Sequence, residues 1–143
     1  MTSKTGVTRV ERVAADANVI LSAVVGKAAL KVFSRSSIKV VSAAVTLREV
    51  REYLPMMAER YGIAHEILEG QLRLLGIKEY GPRAYSRFMA KAARRIGKRD
   101  PDDIDLLALA LALDVPIWSN DKDFEAAGVE YYPTAHLLRT LGL

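Results

Sequence analysis

The chain has 143 residues, half of them apolar and 27% charged, with two histidines and no cysteine. That is one domain's worth of sequence, spanning 1–143, with enough apolar content for a single core; it excludes disorder, a disulfide framework, a Cys-rich zinc site and a thiol nucleophile. No apolar run approaches the ~20 residues that cross a bilayer, and the polar segment from Met1 to Arg12 does not read as a signal peptide, so a cytoplasmic protein with no membrane partner is expected.

Charge is unevenly placed. The net charge of +4 and a pI near 9.4 favour a polyanionic partner. From Gly81 to Arg99 there are seven basic residues and no acidic one, and from Asp100 to Glu130 nine carboxylates stand against Lys122 alone. A basic block meeting an acidic block so sharply suggests a phosphate-attracting surface beside a carboxylate-rich one.

Along the chain, Val13 to Ala15 is a short apolar run ending on Asp16, a buried strand reaching an edge. Residues 18–33 carry helical spacing broken at Gly26. Ser37 to Ala43 is β-branched and apolar, a second strand. Thr46 to about Tyr61 opens with a Thr-x-x-Glu capping box and reads as a helix that Pro55 kinks or splits. Ala64 to Leu75 is a helix with Ile67, Leu68, Leu72 and Leu75 on one face, followed by a short strand over Ile77 to Tyr80. Arg83 to Ile96 is an amphipathic helix, with Tyr85, Phe88, Met89, Ala92 and Ile96 on one side and Arg83, Arg87, Lys91, Arg94 and Arg95 on another. Asp103 to Leu113 is a buried helix, Val115 to Ser119 a strand, Lys122 to Ala127 a short helix, Val129 to Tyr132 a strand and Pro133 to Leu141 a closing helix. Short apolar strands alternating with helices predict an α/β fold, a three-layer α/β/α sandwich around a parallel sheet.

In such a sheet ligands sit outside the carboxyl ends of the strands. Asp16 ends the first strand, Glu49 lies early in the helix after the second, Asp103 opens the buried helix, and Asp121 follows the strand after it with Asp123 close behind. Converging carboxylates repel one another unless a cation sits among them, and hard oxygen donors select Mg²⁺ or Mn²⁺. Beside a basic surface, that chemistry is metal-dependent hydrolysis of nucleic acid. Each acid also has a structural alternative: Asp16 and Asp103 as helix caps, Glu49 as the capping-box acid, Asp121 as a turn residue. Four such coincidences at one sheet edge are the weaker explanation. No calcium loop, phosphate-cradling glycine loop or nucleophile elbow is present, and His65 and His136 read as ordinary helix residues.

The stretches Ala15-Asp16-Ala17-Asn18, Thr46-Leu47-Arg48-Glu49, Asp100-Pro101-Asp102-Asp103 running into the Leu/Ala-rich helix, and Ile117-Trp118-Ser119-Asn120-Asp121-Lys122-Asp123-Phe124 resemble the PIN-domain nucleases, in order and spacing from Val13 to Tyr132. The resemblance implies a parallel-sheet α/β/α fold and a Mg²⁺- or Mn²⁺-dependent endoribonuclease site. Small prokaryotic members are commonly VapC-type toxins, homodimers paired with a small antitoxin. By position it makes Asp16, Glu49, Asp103 and Asp121 the catalytic acids, with Asp16, Asp103, Asp121 and Asp123 on metal. Asn18 and Ser119 fall where polar residues support the site. Asp105 lies about 200° from Asp103 if the helix has begun, so the two cannot share one site; the register of Ala108 and Ala110 favours Asp103. Arg83, Arg87, Lys91, Arg94 and Arg95 are expected to hold RNA phosphates. The expected function is cleavage of single-stranded RNA. An RNA-processing nuclease without an antitoxin and a silent nucleic-acid-binding module are the alternatives.

Overall fold

The structure, a computed structural model, describes residues 10–96 and 101–143. Lys98, Arg99 and Asp100, which belong to the two charge blocks, lie outside the described residues, as do residues 1–9. Five strands, β1 (Arg12–Ala15), β2 (Lys39–Ala43), β3 (Lys78–Tyr80), β4 (Ile117–Trp118) and β5 (Tyr131–Tyr132), form one sheet in the order β3-β2-β1-β4-β5. Every neighbouring pair is parallel. The chain builds outward from β1 on one side, then returns and builds outward on the other, so the order reverses between β1 and β4.

Side chains alternate across the strands, and both faces are buried. Val13, Ala15, Val40 and Trp118 pack with α1 (Ala17–Val24), α2 (Leu30–Arg35), α3 (Ala44–Tyr61), α4 (His65–Leu74) and α8 (Thr134–Thr140). Ala14, Val41, Ala43 and Ile117 face the opposite layer of α5 (Met89–Ile96), α6 (Ile104–Leu113) and α7 (Asp123–Ala126). The three-layer sandwich expected from short, wholly apolar strands is the architecture observed. α6 is the central helix of its layer: Leu106, Leu107, Ala108, Leu109 and Ala110 are all buried, which is why its sequence shows almost no polar face. Asp114 ends it in the left-handed region (φ 56°), donating its N–H to the α6 carbonyls, a conformation a short polar side chain tolerates. Among the described residues no helix is long and apolar enough to cross a membrane.

Four local expectations change. The predicted Thr46 capping box does not form, because α3 begins two residues earlier, capped by Ala43, and Thr46 is buried inside it. α3 also runs through Pro55 without a break; the carbonyl that Pro55 leaves without a partner belongs to the exposed Arg51, where water can reach it. The segment expected as one helix over 83–96 is two 3₁₀ turns, Pro82–Ala84 and Ser86–Phe88, before α5. The interruption falls at Tyr85, whose large ring is 1% exposed and anchored in the core. Ile67, expected on the buried face of α4, is 57% exposed, while Leu68 is 1% exposed.

That last contrast is directly testable. Leu68→Ala should lower the free energy of unfolding by about 2–5 kcal/mol, and Ile67→Ala by less than ~0.5 kcal/mol, in urea titrations. Equal losses would mean α4 is rotated from the orientation described.

Candidate active site

The order reversal between β1 and β4 opens the sheet's carboxyl edge, because the connections leaving the two strands diverge. β1 and β4 are in register there, Ala15 beside Trp118, and the Asp16 N–H continues the ladder to the Trp118 carbonyl at 3.2 Å. Asp16 and Ser119 therefore leave adjacent strands side by side. The Ser119 hydroxyl donates to Asp16 Oδ2, and Asp16 Oδ1 accepts the Val19 N–H at 3.0 Å. Asp16 is thus the N-cap of α1 and also a buried carboxylate at the edge; the capping alternative is realised, and it leaves the carboxylate at the carboxyl end of β1.

The same Ser119 oxygen accepts the Asp121 N–H at 3.0 Å, and Asp121 Oδ1 accepts the Asp123 N–H at 2.9 Å. Asp121 is a turn residue held by its own loop, as its Ser-Asn-Asp context suggests. Its charge reaches Asp16. Burial pushes the Asp16 carboxyl above its usual value and Asp121 adds to that, while the Ser119 and Val19 hydrogen bonds pull the other way. The chain therefore holds a buried acid, partly hydrogen-bonded, beside a second acid of the same sign.

Two helices bring further acids to this edge. α3 follows β2 and α6 precedes β4, so both have their N-terminal ends at the carboxyl edge of a parallel sheet. They meet in a cleft of about 410 Å³ lined by Arg48, Glu49, Glu52, Tyr53 and Asp105. Asp103 closes a 3₁₀ turn and stands at the N-cap position of α6, half-buried. Asp105, within the first turn of α6, is the acid that shares the cleft with Glu49. The buried Tyr85 donates its hydroxyl to Asp105 Oδ2 at 2.7 Å. Burial, then the Asp105 carboxylate, push the Tyr85 phenol up, so it remains a protonated donor. Sequence reasoning did not assign Tyr85 to the site. The faint signal for it was one aromatic in a basic amphipathic stretch whose period fails at that residue.

Asp123 opens α7, half-buried, and Asn18 is exposed in the first turn of α1. Arg83, Arg87, Lys91, Arg94 and Arg95 are all exposed, on the segment that runs from the 3₁₀ turns around Tyr85 through α5, the helix packed against α6. A larger cavity, about 1090 Å³, lies at the opposite edge, lined by strand-start residues such as Arg12, Lys39 and Pro116; it sits where a parallel sheet rarely binds ligands. Among the described residues no three His, Cys, Asp or Glu side chains close into one metal-holding group. The donors nonetheless suit a hard divalent cation: all are carboxylate oxygens, and positive charge beside Asp16 would offset both its burial and its repulsion from Asp121.

The fold is a parallel α/β/α sandwich with carboxylates at the carboxyl edge of its sheet, and comparison with known proteins narrows the class. The PIN domain family model matches residues 14–142. The chain belongs to the PIN-domain nuclease family. Among solved structures, FitAcB from Neisseria gonorrhoeae superposes with a TM-score of 0.65 at 19% identity, covering 87% of this chain and 99% of that one, a similarity of fold. No curated protein sequence matches.

The strain at Asp16 has a measurable sign. Its pKa is raised in the folded state, so stability is greatest below the unfolded value and falls as pH rises through the folded one. Asp16→Asn should raise the Tm of chelator-treated protein at pH 7, by about 2–4 °C for each kcal/mol relieved, and the gap should shrink under acid conditions. A lower Tm at every pH would mean that the hydrogen bonds outweigh burial.

Proposed function

We propose that the chain, acting as one PIN-like domain over residues 1–143, is a metal-dependent endoribonuclease that hydrolyses phosphodiester bonds in single-stranded RNA, the toxin of a VapBC-type pair. The observation that carries this reading is the Ser119 hydroxyl gripping Asp16 while accepting the Asp121 N–H, which fixes two carboxylates at the switch point of a PIN fold. The resemblance of the four acidic stretches supports the nuclease assignment, and the VapC-type toxins are part of what that resemblance implies. A cytoplasmic homodimer that binds a small antitoxin is part of the same proposal.

The residues then divide the work. Asp16, Asp103 and Asp121, with Asp123, hold Mg²⁺ or Mn²⁺, and Glu49 completes the catalytic acids. Asp105, beside Glu49 in the cleft and held by Tyr85, is a further carboxylate of the set. When bound, the cation would neutralise charge on the phosphoryl oxygens and lower the pKa of water. Ser119 keeps Asp16 in one rotamer and ties the Asp121 loop to it, so both acids meet the substrate without reorganising. Asn18 supports that edge from the first turn of α1. Arg83, Arg87, Lys91, Arg94 and Arg95 hold the backbone phosphates of the strand as it approaches, which positions RNA without reading its sequence.

The test is cleavage of a mixed single-stranded RNA with Mn²⁺, with Mg²⁺ and with EDTA, wild type beside Asp16→Asn and Asp121→Asn. Cutting should require metal and fall about 100-fold or more in either variant, the loss of several kcal/mol of transition-state stabilisation, with RNA binding retained. Undiminished cutting by the variants would sink the site. Replacing Arg87 and Lys91 together by Ala should weaken RNA binding and flatten its salt dependence by about 0.7 in log–log slope for each phosphate no longer neutralised. An unchanged slope would move phosphate binding off this surface.

A further inference from the structure

A second cleft, of about 340 Å³, adjoins the acidic one, and Tyr53 lines both. Tyr53 lies four residues after Glu49 on α3, hence one turn further along the same face. The cleft then runs outward over Met56, Arg60 and Tyr61, with Asn18 and Lys27 on its α1 side. Its charge differs from its neighbour's, which sets Arg48 among three carboxylates. The acidic cleft holds Glu49, Glu52 and Asp105; this one is lined by Lys27 and Arg60 and by no carboxylate among the described residues. Its large side chains are also unusually open, with Tyr53 43%, Met56 48% and Tyr61 37% exposed. The Lys27 ammonium lies 5.4 Å from the centre of the Tyr61 ring, which brings cation and aromatic face to one spot.

We propose that this cleft is a base-stacking subsite for single-stranded RNA, in which Tyr53 and Tyr61 stack nucleobases and Lys27 and Arg60 meet the adjoining phosphates. The inference rests on the ribonuclease reading above and adds where the strand lies on one side of the acids. Exposed aromatic rings interleaved with cations are what binds single strands without sequence readout, because every base has a stacking face and every linkage a charge. Position favours RNA over a protein segment: Tyr53 lines both clefts, so an occupant of this one lies beside Glu49, one turn back on the same face of α3. Arg83 and Arg87 are exposed two residues either side of Tyr85, whose hydroxyl holds Asp105, so a strand that leaves the aromatic cleft past the acids has further cations within the same chain segment to meet its phosphates.

The experiment measures binding of a labelled single-stranded RNA by anisotropy in the Asp16→Asn background with Mg²⁺, alongside cleavage kinetics of the otherwise wild-type chain. Tyr61→Ala should weaken binding roughly 10-fold and raise KM by a similar factor with kcat nearly unchanged, and Tyr53→Ala, whose ring also lines the acidic cleft, should weaken binding by a similar factor. Tyr53→Phe and Tyr61→Phe, which keep the ring, should behave like wild type. An oligonucleotide with abasic positions should bind the unsubstituted Tyr background as poorly as the intact RNA binds the Ala variants. Both rings are well exposed, so thermal melts should be near wild type; an Ala variant that unfolds leaves the abasic comparison and the Phe variants to decide. If the Ala variants and the abasic strand bind normally while Arg87→Ala and Lys91→Ala still weaken binding, the subsite is overturned and the ribonuclease reading stands. If the Ala variants bind RNA normally but break up a homodimer in sedimentation, the face is a protein interface and the proposal fails. If the unsubstituted chain neither binds nor cuts RNA, both readings fall together.

Discussion

The Ser119 hydroxyl is the point on which the candidate site turns. It donates to Asp16 and accepts from the Asp121 backbone, so a single oxygen locks the exit of β1 to the exit of β4. That is possible only because the two strands are parallel neighbours in register, with Ala15 beside Trp118. The surrounding contacts brace the same junction. Ser42 donates to the Ala15 carbonyl at 2.8 Å from the end of β2, and Trp118 Nε1 donates to Thr134 Oγ1 at 3.0 Å. Asn120 accepts the Thr134 N–H at 2.8 Å, which pins the β4 exit to the start of α8. Polar groups in this region are paired, and among the described residues no buried side-chain nitrogen or oxygen lacks a partner.

The architecture adds a cleft at the same edge of the sheet. Helices that follow β2 and precede β4 must both begin at the carboxyl edge, and they do so from opposite layers of the sandwich. Glu49 on α3 and Asp105 on α6 therefore share one cleft at the sheet's end, although they stand 56 positions apart in the chain. Gathering acids this way works against stability, since burial and Asp121 both raise the Asp16 pKa. A fold selected for stability alone would place an amide or a hydroxyl there; strain concentrated at one edge is the pattern of a functional site. Tyr85 shows the same economy of position. It breaks the helix that its sequence periodicity announces, and the break puts its hydroxyl on Asp105 while its ring fills the core.

Charge is partitioned along the same lines. Carboxylates occupy the edge, and exposed cations stand on the α5 side and, with aromatic rings, on the α1–α3 side. A polyanion would be drawn to the flanks and repelled from the centre unless positive charge were supplied there.

Much of this was legible in the sequence. Short apolar runs separated by helical spacing determine a parallel sheet covered on both faces, because a strand buried on two sides has no polar residues to alternate. Asp16, Glu49, Asp103 and Asp121 stand out because acids immediately after buried strands, or at the starts of helices beside them, are few. Local rules misled where burial overrode them. Thr46 and Glu49 match a capping box, but Thr46 is buried within the first turn of α3; Ile67 fits the apolar face of α4, yet Leu68 and Leu72 are the residues that join the core there. Periodicity also could not reveal Tyr85, since a ring that leaves the helix to reach the core looks the same in one dimension as a ring on an apolar face. What only the tertiary structure decided is adjacency: which strand lies beside β1, which α6 acid shares a cleft with Glu49, and which single hydroxyl holds two carboxylate segments together. Composition and spacing constrain each segment by itself, whereas distances between segments arise only when one core excludes water from all of them at once.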